Sequence, residues 1–210
     1  ATVCELKSLL EIHQGLQALT IFDHSGDYLP LLQLAAKHLP QIDRQACADA
    51  AFNEKTLRIA DARKTLASVH NGLQEAKDEF PLTLFRQALL KRLAWANQPY
   101  HDQRQLQVAR DMLNRRDYLR ASALMYESII NRFIRENQLG DVENSDVRER
   151  AAEQLKQGKQ PDWQHHLRLL RNALAHGVRP KTAAIQQLLG SEQKLQEFLA
   201  CCVSRLEQLQ

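Results

Sequence analysis

Leucines recur at helical spacing from the start of the chain. Leu6, Leu9, Leu10, Leu16 and Leu19 form one apolar stripe, predicting a helix that ends near His24-Ser25-Gly26. Pro30 suits the first turn of a second helix, carrying Leu31, Leu32, Leu34, Ala35 and Leu39, with Pro40 to close it. From Phe52 onward, Ile59, Ala62, Leu66, Val69, Leu73, Ala76 and Phe80 keep alternating three- and four-residue steps, with Lys55 the one polar intruder. That seam predicts a long helix packed lengthwise on another, as an internal helical hairpin rather than a coiled coil between chains. Pro81 then opens a helix through Leu84, Phe85, Leu89, Leu90 and Leu93 that ends around Asn97-Gln98-Pro99.

The second half repeats the pattern with clearer punctuation. Leu106, Ala109, Met112 and Leu113 mark a helix stopped at Asn114-Arg115-Arg116. Asp117 is placed to cap its successor, whose apolar face is Tyr118, Ala121, Met125, Ile129 and Phe133. After a polar loop, Asp146-Val147-Arg148-Glu149 has capping-box spacing and opens a short helix to about Gln157. Asp162 is expected to cap a helix bearing Leu167, Leu170 and Leu174, stopped by Gly177 and Pro180. A last helix follows Gly190-Ser191 and carries Leu195, Phe198, Leu199 and Leu206. The internal boundary falls in the stretch from Trp95 to Asp102. This divides the chain into an N-terminal helical region, 1–98, and a core, 99–210.

Composition agrees with an all-α fold. Only 7 Gly and 6 Pro interrupt 210 residues, and the strong helix formers Leu, Ala, Gln, Arg and Glu abound. A net charge of +3 permits an RNA partner without the strong basicity of large nucleic-acid footprints. No apolar run reaches the roughly 20 residues needed to span a bilayer, so no membrane partner is expected. Cys4, Cys47, Cys201 and Cys202 contain no CxxC pair and read as reduced core thiols of a cytoplasmic protein. The chain begins at Ala1 and enters helical pattern at once, which suggests a fragment.

One segment carries sharp chemistry: Arg171-Asn172-Ala173-Leu174-Ala175-His176. Residues four apart share a helix face, so Asn172 and His176 lie together, while the long Arg171 side chain bends toward the same cleft. RNA cleavage through the 2′-hydroxyl needs a base, an acid and positive charge on the phosphate. Histidine serves for the first two and arginine for the third. One chain supplies one such histidine, whereas a two-fold dimer supplies two of each residue in one groove. By spacing alone, an Arg and a His on an ordinary surface helix look the same.

Arg171 to His176 resembles the Arg-x(4)-His signature of the HEPN superfamily, including the polar Asn directly after the Arg. The run Asn114-Arg115-Arg116-Asp117-Tyr118 through Tyr126-Glu127 is similar to the paired-helix junction of HEPN ribonucleases attached to type III CRISPR systems. The opening Leu9-Leu10-Glu11 and Phe22-Asp23-His24-Ser25-Gly26-Asp27-Tyr28 resembles the segment that begins their helical half. The resemblance implies a HEPN helical bundle acting as a metal-independent endoribonuclease on single-stranded RNA. It further implies a composite active site at a homodimer interface, an antiviral defence role, and Arg171, Asn172 and His176 as its catalytic residues. Relatives of this kind sense cyclic oligoadenylate through a CARF domain. This chain lacks that domain's strand-helix alternation and glycine-rich turn.

Arg168, Arg179 and His166 are RNA-binding candidates, and Glu127 is a candidate to orient Arg171 by an ion pair. No metal and no cofactor is expected, since the other histidines lack ligand spacing such as HExxH and Asp162 has no carboxylate neighbour. Trp163 reads as core. Two rival functions fit the same residues: a non-catalytic helical scaffold, and a HEPN toxin paired with an antitoxin.

Overall fold

The protein, seen as a computed structural model, is described over residues 3–39, 42–77, 80–158 and 161–209, without the side chains of 3–5 and 7. The described residues are all-α, with eleven α-helices and two short 3-10 turns. They form two compact units, Ala1–Asn97 and Gln98–Gln210.

The first unit contains α1 (Val3–Ser25), α2 (Leu29–His38), α3 (Arg44–Lys55), α4 (Ile59–Glu75) and α5 (Arg86–Leu93), with 3-10 turns at Leu82–Leu84 and Ala94–Asn97. Pro30 stands in the first turn of α2 as expected, while Pro40 lies outside the described residues. The apolar seam does not run as one helix. Leu57 takes a left-handed φ of 65° and the chain reverses across residues 56–58, so α3 and α4 pack as a hairpin. Ile59, Ala62, Leu66, Val69 and Leu73 are buried along α4, whereas Phe52 and Phe80 at the ends of the seam are exposed. The leucine stripe of α1 also departs from expectation. Leu6, Leu9, Leu10 and Leu16 are exposed, and α1 meets α2 with Ala18 buried instead.

Glu54 lies at the centre of this unit. Its carboxylate pairs with Arg92 and accepts hydrogen bonds from the Tyr28 hydroxyl (2.9 Å) and the Trp95 indole (3.1 Å). Three groups from separate parts of the unit thereby satisfy one buried charge.

The second unit contains α6 (His101–Asn114), α7 (Tyr118–Glu136), α8 (Ser145–Gln157), α9 (Asp162–His176), α10 (Ala183–Leu189) and α11 (Glu192–Gln208). Helices α6, α7, α9 and α11 form a bundle, α8 rests on α7, and α10 contacts α9 and α11. The bend between α6 and α7 is made by Arg116 at φ 61°, and Asp117 caps α7 by accepting from the Arg120 N–H at 3.2 Å. Met125, Ile129, Leu170, Leu195 and Leu199 fill the core.

Several local expectations shift. Asn144, not Asp146, caps α8, accepting from the N–H groups of Asp146 and Val147. Asp162 is the first helical residue of α9 and makes no side-chain cap. Helix α10 had no expectation behind it. Trp163 is only partly buried, with Arg205 over its ring at 5.9 Å. Cys47 and Cys202 are buried thiols, Cys201 is exposed, and the Cys4 side chain lies outside the described residues.

A polar network joins α6, α7 and α8. Asp102 receives a two-pronged ion pair from Arg135, at 2.9 and 3.1 Å. The Asn131 amide donates to Gln105 (2.7 Å) and accepts from Arg148 (2.8 Å). Beside it, burial pushes the His101 imidazole down to about 4, with Arg104 and Arg148 acting in the same direction.

Candidate active site

Helix α9 turns its apolar edge, Leu167, Leu170 and Ala173, into the bundle. Steps of three between these positions leave the intervening polar residues on the flanks and outer face. Arg168 and Arg171, three apart, share the flank that meets α7.

The Arg171 guanidinium sits over the ring of Tyr126 on α7, with its central carbon 4.9 Å from the ring centroid. Its Nε is sealed from solvent without a hydrogen-bond partner, as is the Nε of Arg168. Each guanidinium therefore has its inner edge against the protein. Arg168 makes one further contact, Nη2 to His165 Nδ1 at 3.3 Å. Neither arginine has a carboxylate partner among the described residues.

The carboxylate expected to serve Arg171 goes elsewhere. Glu127 pairs with Arg148, which also donates to the Val142 carbonyl at 3.2 Å. The reason is angular, because adjacent helical residues point about 100° apart. Tyr126 faces α9, and Glu127 is turned toward α8. Burial raises the Tyr126 phenol above its ordinary range, against the lowering influence of Arg168, Arg171 and Lys156. The hydroxyl therefore stays a neutral donor at physiological pH.

His176 is the last residue of α9 and is exposed. Gly177 follows in the left-handed conformation, φ 61°, which ends the helix as its position in sequence predicted. Asn172 is partly buried one turn before His176. Within one chain, Arg171 and His176 lie about 140° apart around the helix and about 7.5 Å along it. No hydrogen bond joins them, and Arg171 leans toward α7 rather than toward the histidine.

An open groove of about 560 Å³ adjoins the end of α9, lined by Leu174, Val178, Arg179, Pro180, Gln186 and Leu189 among others. Arg179, exposed, stands at this groove. His166 lines a different one, of about 500 Å³, with Leu188, Lys194 and Phe198. The sequence candidates thus separate into three places: Arg168 and Arg171 on the α7 flank, His176 and Arg179 at the helix end, and His166 toward α10 and α11. Tyr126, which carries Arg171, had no signal in the sequence, since it lies one residue beyond the apolar stripe of α7.

Among the described residues no group of three or more His, Cys, Asp or Glu side chains is arranged to hold a metal ion. None of their helices is long and apolar enough to cross a membrane. No protein-family model, curated protein or solved structure matches the chain.

Proposed function

We propose that this chain is a HEPN-type endoribonuclease that cleaves single-stranded RNA without a metal, at a composite site made by two copies. The observation that carries this reading is the presence, on one helix, of an exposed terminal imidazole and of an arginine with no carboxylate partner among the described residues. A charge withdrawn from water is ordinarily paired. Arg171 instead rests on an aromatic ring, with none of its donors engaged in a hydrogen bond.

The chemistry follows from these groups. The imidazole of one His176 takes the proton of the ribose 2′-hydroxyl, and the 2′-oxygen bonds to phosphorus. The bond from phosphorus to the 5′-oxygen breaks, and the imidazolium of the second copy protonates that leaving oxygen. Arg171 neutralises charge on the phosphoryl oxygens as the fifth bond forms. The products carry a 2′,3′-cyclic phosphate and a 5′-hydroxyl. Two copies are required because one chain offers a single imidazole at the α9 terminus, where acid and base must act together. Asn172, one turn earlier, stands beside the same edge as a further donor, and Arg179 stands where a phosphate leaving the cleft meets positive charge. The defence setting, with activation by cyclic oligoadenylate through a CARF domain, is part of the same proposal.

The deciding experiment is RNA cleavage in EDTA by the wild type and by His176→Ala. Cleavage that persists in the variant refutes the assignment, and cleavage that appears only on adding a divalent metal refutes the mechanism. A helical interaction module is the second reading. The specific observation favouring it is the row of exposed leucines on α1, Leu6, Leu9, Leu10 and Leu16, a surface typical of a docking face.

A further inference from the structure

The groove at the end of α9 has no task in the cleavage step, yet it begins where His176 ends. The chain passes from His176 straight into the groove wall at Gly177 and Val178, and α10 supplies another wall with Gln186 and Leu189. Leu174, Val178, Pro180 and Leu189 make the lining largely aliphatic. Val178 is 59% exposed, so the fold leaves part of this apolar surface in water. At about 560 Å³ the groove lies in the size range of small-molecule sites. Arg179 is the one charged residue that lines it among the described residues, and no acid does. A flat apolar body carrying a negative group suits that lining.

Gln186 adds a means of selection. Its Nε2 donates to the Pro180 carbonyl at 2.7 Å. A carbonyl only accepts, so this bond fixes which end of the amide is nitrogen. Oε1 is left as an acceptor, and no described residue donates to it.

We propose that this groove holds the nucleobase of the nucleotide whose 2′-hydroxyl His176 deprotonates, and that Gln186 makes it prefer adenine or cytosine. This rests on the ribonuclease reading, which alone places a ribose at His176. The aliphatic walls take the faces of the base, and water leaves both surfaces. Adenine and cytosine carry an amino group that donates to Oε1, where guanine and uracil carry a carbonyl oxygen. Two acceptors brought face to face leave both unsatisfied, which is the source of the discrimination. Phosphate contacts set register along a strand and leave the bases unread, so Gln186 is the residue that gives this site a sequence preference.

The test is calorimetric binding of the four nucleoside 3′-monophosphates to the full chain. Each carries one base, its ribose and a 3′-phosphate, and has no 5′-oxygen leaving group on phosphorus. The adenosine and cytidine compounds should bind about tenfold more tightly than those of uridine and guanosine. Gln186 and Val178 are both exposed, so Gln186→Leu and Val178→Asp are expected to melt at the wild-type temperature. Gln186→Leu should erase the difference by weakening the first pair alone. Val178→Asp places a charge on the apolar wall and should weaken all four about tenfold. Equal affinity for the four compounds in the wild type overturns the proposal. So does a preference that survives Gln186→Leu, or wild-type binding in Val178→Asp. Cleavage of RNA separates this failure from that of the ribonuclease reading. A preference that depends on Gln186, without any cleavage, leaves the base site standing and removes the nuclease. Cleavage that depends on His176, with equal binding of the four compounds or none, removes the base site and keeps the nuclease.

Discussion

Glu127 on α7 gives its carboxylate to Arg148 on α8, and this pairing decides the environment of Arg171 on α9. With that acid turned away, the aromatic ring of Tyr126 is what meets the Arg171 guanidinium. A cation held on a ring is positioned while its charge stays available, whereas a cation in an ion pair is largely spent.

Glu127→Gln is therefore expected to act on stability rather than on cleavage. Both partners are partly exposed, so loss of the pair should cost about 1 kcal/mol. Urea unfolding midpoints report the first quantity and initial cleavage rates the second. A large fall in rate with little loss of stability would mean that Glu127 orients Arg171 after all.

Arg171→Lys keeps the charge but loses the planar fork that both stacks on Tyr126 and grips two phosphate oxygens. Cleavage should fall about a hundredfold or more, while stability changes by less than about 1 kcal/mol. Single-turnover rates with excess enzyme, set beside thermal melts, test this.

The buried charge in the first unit makes a different kind of prediction. Glu54→Gln removes the charge that faces Arg92, whose side chain is only 4% exposed, beside Tyr28 and Trp95. Breaking such a pair from one side costs about 3–5 kcal/mol. Unfolding followed through Trp95 fluorescence should show the loss, and the double variant Glu54→Leu, Arg92→Leu should recover part of it.

Acid should weaken the second unit through His101. Burial lowers its folded pKa to about 4, below the usual histidine value of about 6.5. Between those limits the unfolded chain binds a proton that the folded chain refuses, so stability declines as pH falls through this window and levels off below it. The expected loss is on the order of 1–3 kcal/mol. His101→Gln should flatten the dependence over the same interval, as read by urea unfolding at several pH values.

Gly177 ends α9 with φ 61° and with open space around its Cβ position. Gly177→Ala therefore meets no clash, and its cost is the left-handed backbone alone, about 1 kcal/mol. Gly177→Asn should cost less, since Asn tolerates that conformation. Equal melting temperatures for the wild type and Gly177→Ala would contradict the assigned backbone.

What the amino-acid sequence by itself determined is local: an all-α chain, most of its helices, the cap at Asp117, and the stop at Gly177 that leaves His176 at a helix end. Such features arise from 3.6-residue periodicity and from interactions within a turn or two. The break at residues 56–58 was not legible, because Leu57 adopts a left-handed φ that a leucine rarely signals. The choice of Asn144 over Asp146 as a cap was equally hidden, for both fit the pattern. Only the tertiary structure decided which face of α1 is covered, that Glu127 turns to Arg148, and that Tyr126 lies beneath Arg171. Those outcomes depend on how helices far apart in sequence cross one another. A rotation of α7 by one residue, about 100°, would exchange the acid for the ring.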